Sequence, residues 1–107
     1  MKMGKIAKRK TWSDSDNLTV INLYLAMLNM QSLEIKFSKA PLVRVAMASC
    51  DKTRGSIEAK LMNISSIRQQ QGLSEVKGYK ALSNYAESLK AAHDDIVSIS
   101  TNNSQTG

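Results

Sequence analysis

Cysteine occurs once in these 107 residues, at Cys50, and histidine once, at His93. One cysteine excludes an internal disulfide and a cysteine-built zinc site; one histidine excludes a two-histidine metal centre. The five glycines are scattered, so no glycine-rich loop is available to cradle a phosphate. No apolar run approaches the roughly 18–20 residues of a membrane span. The basic start, MKMGKIAKRK, is followed by no apolar stretch of the kind a secretory signal needs. The lone cysteine fits a reducing compartment, so a cytoplasmic setting is expected. No cofactor and no metal are implied.

What is present in excess is positive charge, unevenly placed. The formal net charge is +6. Residues 1–12 carry five basic side chains and no acid, and residues 36–80 carry nine against three acids. The segments 13–35 and 81–107 are both net acidic. An even solubilising coat would not segregate in this way. A basic arm beside a basic middle segment suits a polyanion, because neutralising phosphates releases counterions.

The apolar fraction of 42% and charged fraction of 22% describe one globular domain. Residues 1–11 have no periodicity and read as a flexible basic arm. Ser13 offers a helix N-cap, with Asp16 placed to reach back to it. Leu18, Ile21, Leu25 and Leu28 then repeat at helical spacing, which predicts a helix over about 14–29. Residues 30–38 form a connection in which Leu33, Ile35 and Phe37 alternate, so a short extended piece is conceivable. Pro41 suits the first turn of a second helix ending near Ser49. After a turn over Asp51–Gly55, Ile57, Leu61 and Ile64 mark a third helix over about 55–70, stopped by Gly72. Ser83 is placed to cap a fourth, through about residue 97. The expected fold is mainly α: a compact bundle of about four helices over 12–98, with helices two and three in helix-turn-helix proportions. Residues 99–107 read as a disordered polar tail.

No catalytic constellation is visible. Asp94 and Asp95 read as solvated helix surface, His93 as a surface imidazole, and Cys50 as a small buried thiol. The protein is therefore expected not to be an enzyme. Binding is the stronger reading. Lys8, Arg9 and Lys10 form the heart of the arm. Lys52 and Arg54 precede helix three and Lys60 lies within it, where they would grip phosphates. A helical wheel sets Asn63, Ser66 and Gln70 opposite the apolar stripe, on a small polar face suited to base edges; close helix packing is the competing explanation. Lys77, Tyr79 and Lys80 form a further candidate contact, in which Tyr79 either stacks on a base or anchors its loop. Trp12 is expected in the core, setting where the arm leaves the domain.

Arg9-Lys10-Thr11-Trp12-Ser13 opening a helix with Leu23-Tyr24-Leu25, the segment Thr53 to Ile64, and Val76-Lys77-Gly78-Tyr79-Lys80 resemble a small helical N-terminal domain found ahead of bacterial HNH endonuclease domains. The resemblance covers about residues 9–90 and is most specific from Gly55 to Ile64. It implies an accessory or DNA-recognising role. Cleavage does not carry over, since no HNH histidine pair exists here. The turn Cys50-Asp51-Lys52 and the stretch Leu73-Ser74-Glu75 also depart from the glycine-bearing turn and the proline of that pattern. A free-standing domain of this kind suggests a phage or mobile-element product.

The expected function is a non-enzymatic DNA-binding module. The alternative is a protein that binds and inhibits a host nucleic-acid-handling defence complex, with Met27, Met30, Met47, Met62, Leu33 and Phe37 as adaptable apolar surface unless they fill the core. A heptad-like stripe, Tyr85, Leu89, Ala92 and Ile96, would either close the core or pair two copies.

Overall fold

The computed structural model describes residues 12–106, with side chains through residue 99. Four helices follow one another: α1 (Asp14–Ser32), α2 (Lys39–Cys50), α3 (Arg54–Gln70) and α4 (Glu87–Thr106). There is no strand among the described residues, so the alternation at Leu33–Phe37 forms an irregular connection. The expected mainly-α bundle is the observed class.

The helix starts follow from local chemistry. Ser13 Oγ accepts from the Asp16 amide at 3.0 Å, and the Asp16 carboxylate accepts from the Ser13 amide at 3.1 Å, a reciprocal capping box. Thr53 Oγ1 accepts from the Ser56 amide at 3.2 Å, so Thr53 caps α3.

Three helices end alike. Past α1, the Ile35 amide donates to Met30 O and Glu34 sits at φ 59°. Past α2, the Lys52 amide donates to Met47 O with Asp51 at φ 55°; past α3, the Leu73 amide donates to Arg68 O with Gly72 at φ 71°. Each is a Schellman-type closure that satisfies end carbonyls, and two of the three place a carboxylate residue where glycine is most at ease. Because the closure needs no glycine, α1 runs a turn beyond the expected residue 29. α4 begins three residues later than expected from a Ser83 cap and continues to Thr106, past the residue 97 at which its periodicity fades.

α3, like α1, touches all three other helices. Its Ile57, Leu61, Ile64 and Ile67 are fully buried, with Val20, Ile21, Tyr24 and Met27 of α1, Val43 of α2 and Leu89 of α4. Trp12 packs against this core as expected, and Cys50 is buried within it. Tyr85, just before α4, and Ala92 and Ile96 on it pack on the same core, so this stripe closes the bundle, and Ile99 one turn beyond is exposed. The methionines sort likewise: Met27 is fully buried, and Met47 and Met62 pack half-buried on the core.

The segment 71–86 between α3 and α4 is irregular but closely tied down. Tyr24 Oη accepts from the Val76 amide at 2.9 Å and shares a 2.7 Å hydrogen bond with Ser65 Oγ. Gln31 donates to Glu75 O and accepts from the Lys77 amide. Further on, the Leu82 amide donates to Met62 O and Asn63 Nδ2 donates to Leu82 O at 2.6 Å. The segment thereby lies along α3 and covers part of it.

Candidate nucleic-acid interface

The basic side chains gather in two places. At the start of α1, Trp12 is half-buried, and the ammonium groups of Lys52 and Lys60 lie 5.4 Å and 5.0 Å from its ring centroid. Lys52 stands in the α2–α3 turn and Lys60 two turns into α3, so the fold carries both cations to the residue at which the basic segment 1–11 ends; Lys52, expected to grip phosphates, is only 9% exposed, and Lys60 is half-buried. The electron-rich indole face holds two like charges that would repel one another if left unscreened. Burial lowers the Lys60 pKa. Lys8, Arg9 and Lys10 lie outside the described residues.

The second gathering surrounds Tyr79. Lys39, at the first position of α2, places its ammonium 5.0 Å from the Tyr79 ring and donates to Lys77 O at 2.6 Å. Lys77 and Lys80 are exposed, and so is Arg54, which bonds Glu58 one turn along α3 at 3.1 Å. Tyr79 itself is only 8% exposed, and burial raises its pKa. Its hydroxyl is buried with no hydrogen-bond partner. Tyr79 therefore anchors its loop and does not offer a face for base stacking. Lys39 escaped the sequence reading; its only signal was membership in the basic block 36–80.

The proposed reading face of α3 requires correction. Asn63 is 5% exposed and Ser66 2%, on the side of α3 where Leu82 bonds Met62 and Asn63 and Tyr85 bonds Gln70. The Asn63 amide is committed to Leu82 O, and Ser66 Oγ accepts weakly from Gln70 Nε2 at 3.4 Å. Gln70 is exposed, yet its carbonyl oxygen accepts from Tyr85 Oη at 2.8 Å. The small polar face is a packing face: small side chains let the covering segment approach, and polar ones satisfy its backbone. Of the α3 residues singled out, Arg54 is exposed and Lys60 half-buried, while Asn63 and Ser66 do not reach solvent.

His93 also departs from its expected surface position, being fully buried. Arg68, 7% exposed, directs Nη1 to His93 Nε2 at 3.1 Å and Nε to Ser74 O. A guanidinium only donates, so His93 Nε2 is the unprotonated acceptor and Nδ1 carries the proton toward Asp94, 3.1 Å away. Burial, with the Arg68 charge adding to it, lowers the His93 pKa against the opposing pull of Asp94. Burial alone would raise the Asp94 pKa, but hydrogen bonds from Gln71, Lys90 and His93 outweigh it and hold the carboxyl at about 2. This chain of groups joins α3 to α4 and is structural.

Among the described residues, no three histidine, cysteine, aspartate or glutamate side chains converge as a metal site requires, and no helix is long and apolar enough to cross a membrane. No family model matches the chain, and neither a curated protein nor a solved structure resembles it significantly.

Proposed function

We propose that this protein is a non-enzymatic nucleic-acid-binding module, with DNA the favoured ligand, that engages the phosphate backbone. The observation that carries the reading is the convergence of Lys52 and Lys60 on Trp12 at the root of the basic segment that holds Lys8, Arg9 and Lys10. Arg54, Lys77 and Lys80 add exposed charge. Such contacts position a protein on a polyanion without reading sequence. The burial of Asn63 and Ser66 removes the base-reading part of the earlier expectation, so the reading rests on phosphate contacts.

Fluorescence anisotropy with labelled duplex DNA at several salt concentrations tests it. Binding at about 50 mM salt that weakens steeply and log-linearly as salt rises is the expected result. No binding at the lowest salt removes the proposal.

A second reading, inhibition of a host nucleic-acid-handling complex through protein contact, draws on Leu33 and Ile35, which stand 61% and 50% exposed in the α1–α2 connection. Pull-down from nuclease-treated lysate separates the two. A partner retained after nuclease treatment favours protein contact, and loss of every partner favours nucleic acid.

A further inference from the structure

On this basic protein, one groove is apolar within and acidic at its edges. It lies between α1 and α4, has a volume of about 420 Å³, and is lined by Leu18, Ala91, Ala92, Ile96 and Ile99 with Asp14 and Asp95 at its sides. Leu18 is 44% and Ile99 59% exposed. Isolated apolar side chains on a surface are ordinary, but a row flanked by charge of one sign is the form of an interaction site.

Three observations fix the occupant. The first is shape. Ser88, Ala92, Ile96 and Ile99 succeed one another along α4, a stretch of about 16 Å at 1.5 Å per residue, and Asp14 and Leu18 stand one turn apart on α1. Two helices with a channel of three turns between them accept a third helix, whose anchors recur at three- and four-residue spacing. The second is charge. Neither Asp14 nor Asp95 forms an ion pair among the described residues, whereas Asp94 is bound to Lys90 at 2.9 Å and Glu58 to Arg54. Two carboxylates with no ion pair among the described residues repel a phosphate backbone and attract Lys or Arg. The third concerns self-association. A second copy seated here would oppose Asp14 and Asp95 to like carboxylates, and Lys90, the basic residue of α4 closest in sequence to them, is already engaged by Asp94.

We infer that the α1–α4 groove receives a basic amphipathic helix from a partner protein, its apolar stripe on Leu18, Ile96 and Ile99 and its lysines or arginines beside Asp14 and Asp95. This surface is independent of the proposed nucleic-acid contacts. The molecule thereby has two recognition surfaces of opposite charge, one for a polyanion and one for a cationic helix.

The test uses the full chain and a fluorescent Leu/Lys amphipathic helical peptide of about 18 residues, with a Leu/Glu peptide of the same apolar pattern as control, at about 50 mM salt. Saturable binding of the Leu/Lys peptide, none of the Leu/Glu peptide, and a loss of about tenfold or more in the Asp14→Lys/Asp95→Lys variant are expected. Ile99→Asp, at an exposed site, abolishes binding while helical circular dichroism is kept. Equal binding by wild type and the double variant overturns the inference, as does no binding by wild type. So does a sedimenting dimer dissolved by Ile99→Asp, because a second copy then covers the groove. Duplex-DNA anisotropy on the double variant stays at or above the wild-type affinity, so failure of the peptide test is distinguishable from failure of the nucleic-acid reading.

Discussion

Arg68 and His93, 25 residues apart in sequence, meet in the interior with Nη1 3.1 Å from Nε2, an arginine donating to a neutral imidazole. Protonating His93 would set two cations against each other out of water. The depressed His93 pKa has a definite consequence for stability. The unfolded chain takes up the proton near the usual histidine value and the folded chain only at lower pH. Stability is therefore full above about pH 6.5 and falls as pH drops from there toward the folded value. Chemical denaturation followed from pH 7.5 to 5 should show this decline, and His93→Gln should flatten it. His93→Leu leaves a guanidinium proton unpartnered and should cost about 3 kcal/mol.

Tyr24 joins α1, Ser65 of α3 and the Val76 amide through one hydroxyl. Tyr24→Phe keeps the ring and removes the acceptor, stranding a buried amide. A loss of about 2 kcal/mol in urea unfolding is expected, with no change in helix content of the folded protein. A change under about 0.5 kcal/mol would show that water replaces the lost contact.

Asn63 and Tyr79 make a contrasting pair. Asn63→Ala removes a hydrogen bond to Leu82 O and should cost about 1–2 kcal/mol, while DNA affinity per folded molecule stays unchanged. Tyr79→Phe deletes a buried hydroxyl that has no partner and should leave stability equal or slightly higher. Weakened DNA binding by either variant, with folding intact, would restore these residues to the interface.

Glu34 and Asp51 occupy left-handed backbone that glycine adopts without strain. Glu34→Gly and Asp51→Gly should each raise stability by about 0.5–1 kcal/mol, which is roughly 2–8 °C in Tm for a domain of this size. Differential scanning calorimetry reads this directly. The same changes elsewhere on a helix would destabilise.

Lys52→Ala/Lys60→Ala should reduce the slope of log affinity against log salt by about one, since each phosphate contact contributes roughly one and Lys52, 9% exposed, offers little of its ammonium to a phosphate. Trp12→Ala should also weaken DNA binding by releasing both lysines from their common support. If the slope is unchanged in a folded double variant, the charge clustered at Trp12 plays no part in binding.

Much of the architecture was legible in the sequence because its causes are local. The Ser13/Asp16 capping box involves residues three apart, and the stripes Ile57–Leu61–Ile64 and Leu89–Ala92–Ile96 depend on helical period alone. These were enough for four helices, their order and their apolar faces. Helix ends were less legible, since the left-handed closures at Glu34 and Asp51 use residues that carry no such signal in sequence.

What the tertiary structure decided was the fate of polar residues. Asn63, Ser66, Arg68 and His93 have the composition of a solvated or reading surface, and period cannot distinguish water from a covering segment. Their burial depends on partners far along the chain: Leu82 O for Asn63, His93 for Arg68, and the 79–86 segment laid over α3. The same holds for the basic site. The sequence by itself determined that positive charge is concentrated in two stretches. Only folding brought Lys52 and Lys60 onto Trp12, forty and more residues away, because long-range packing of α1 against the α2–α3 unit, not local propensity, sets which side chains meet.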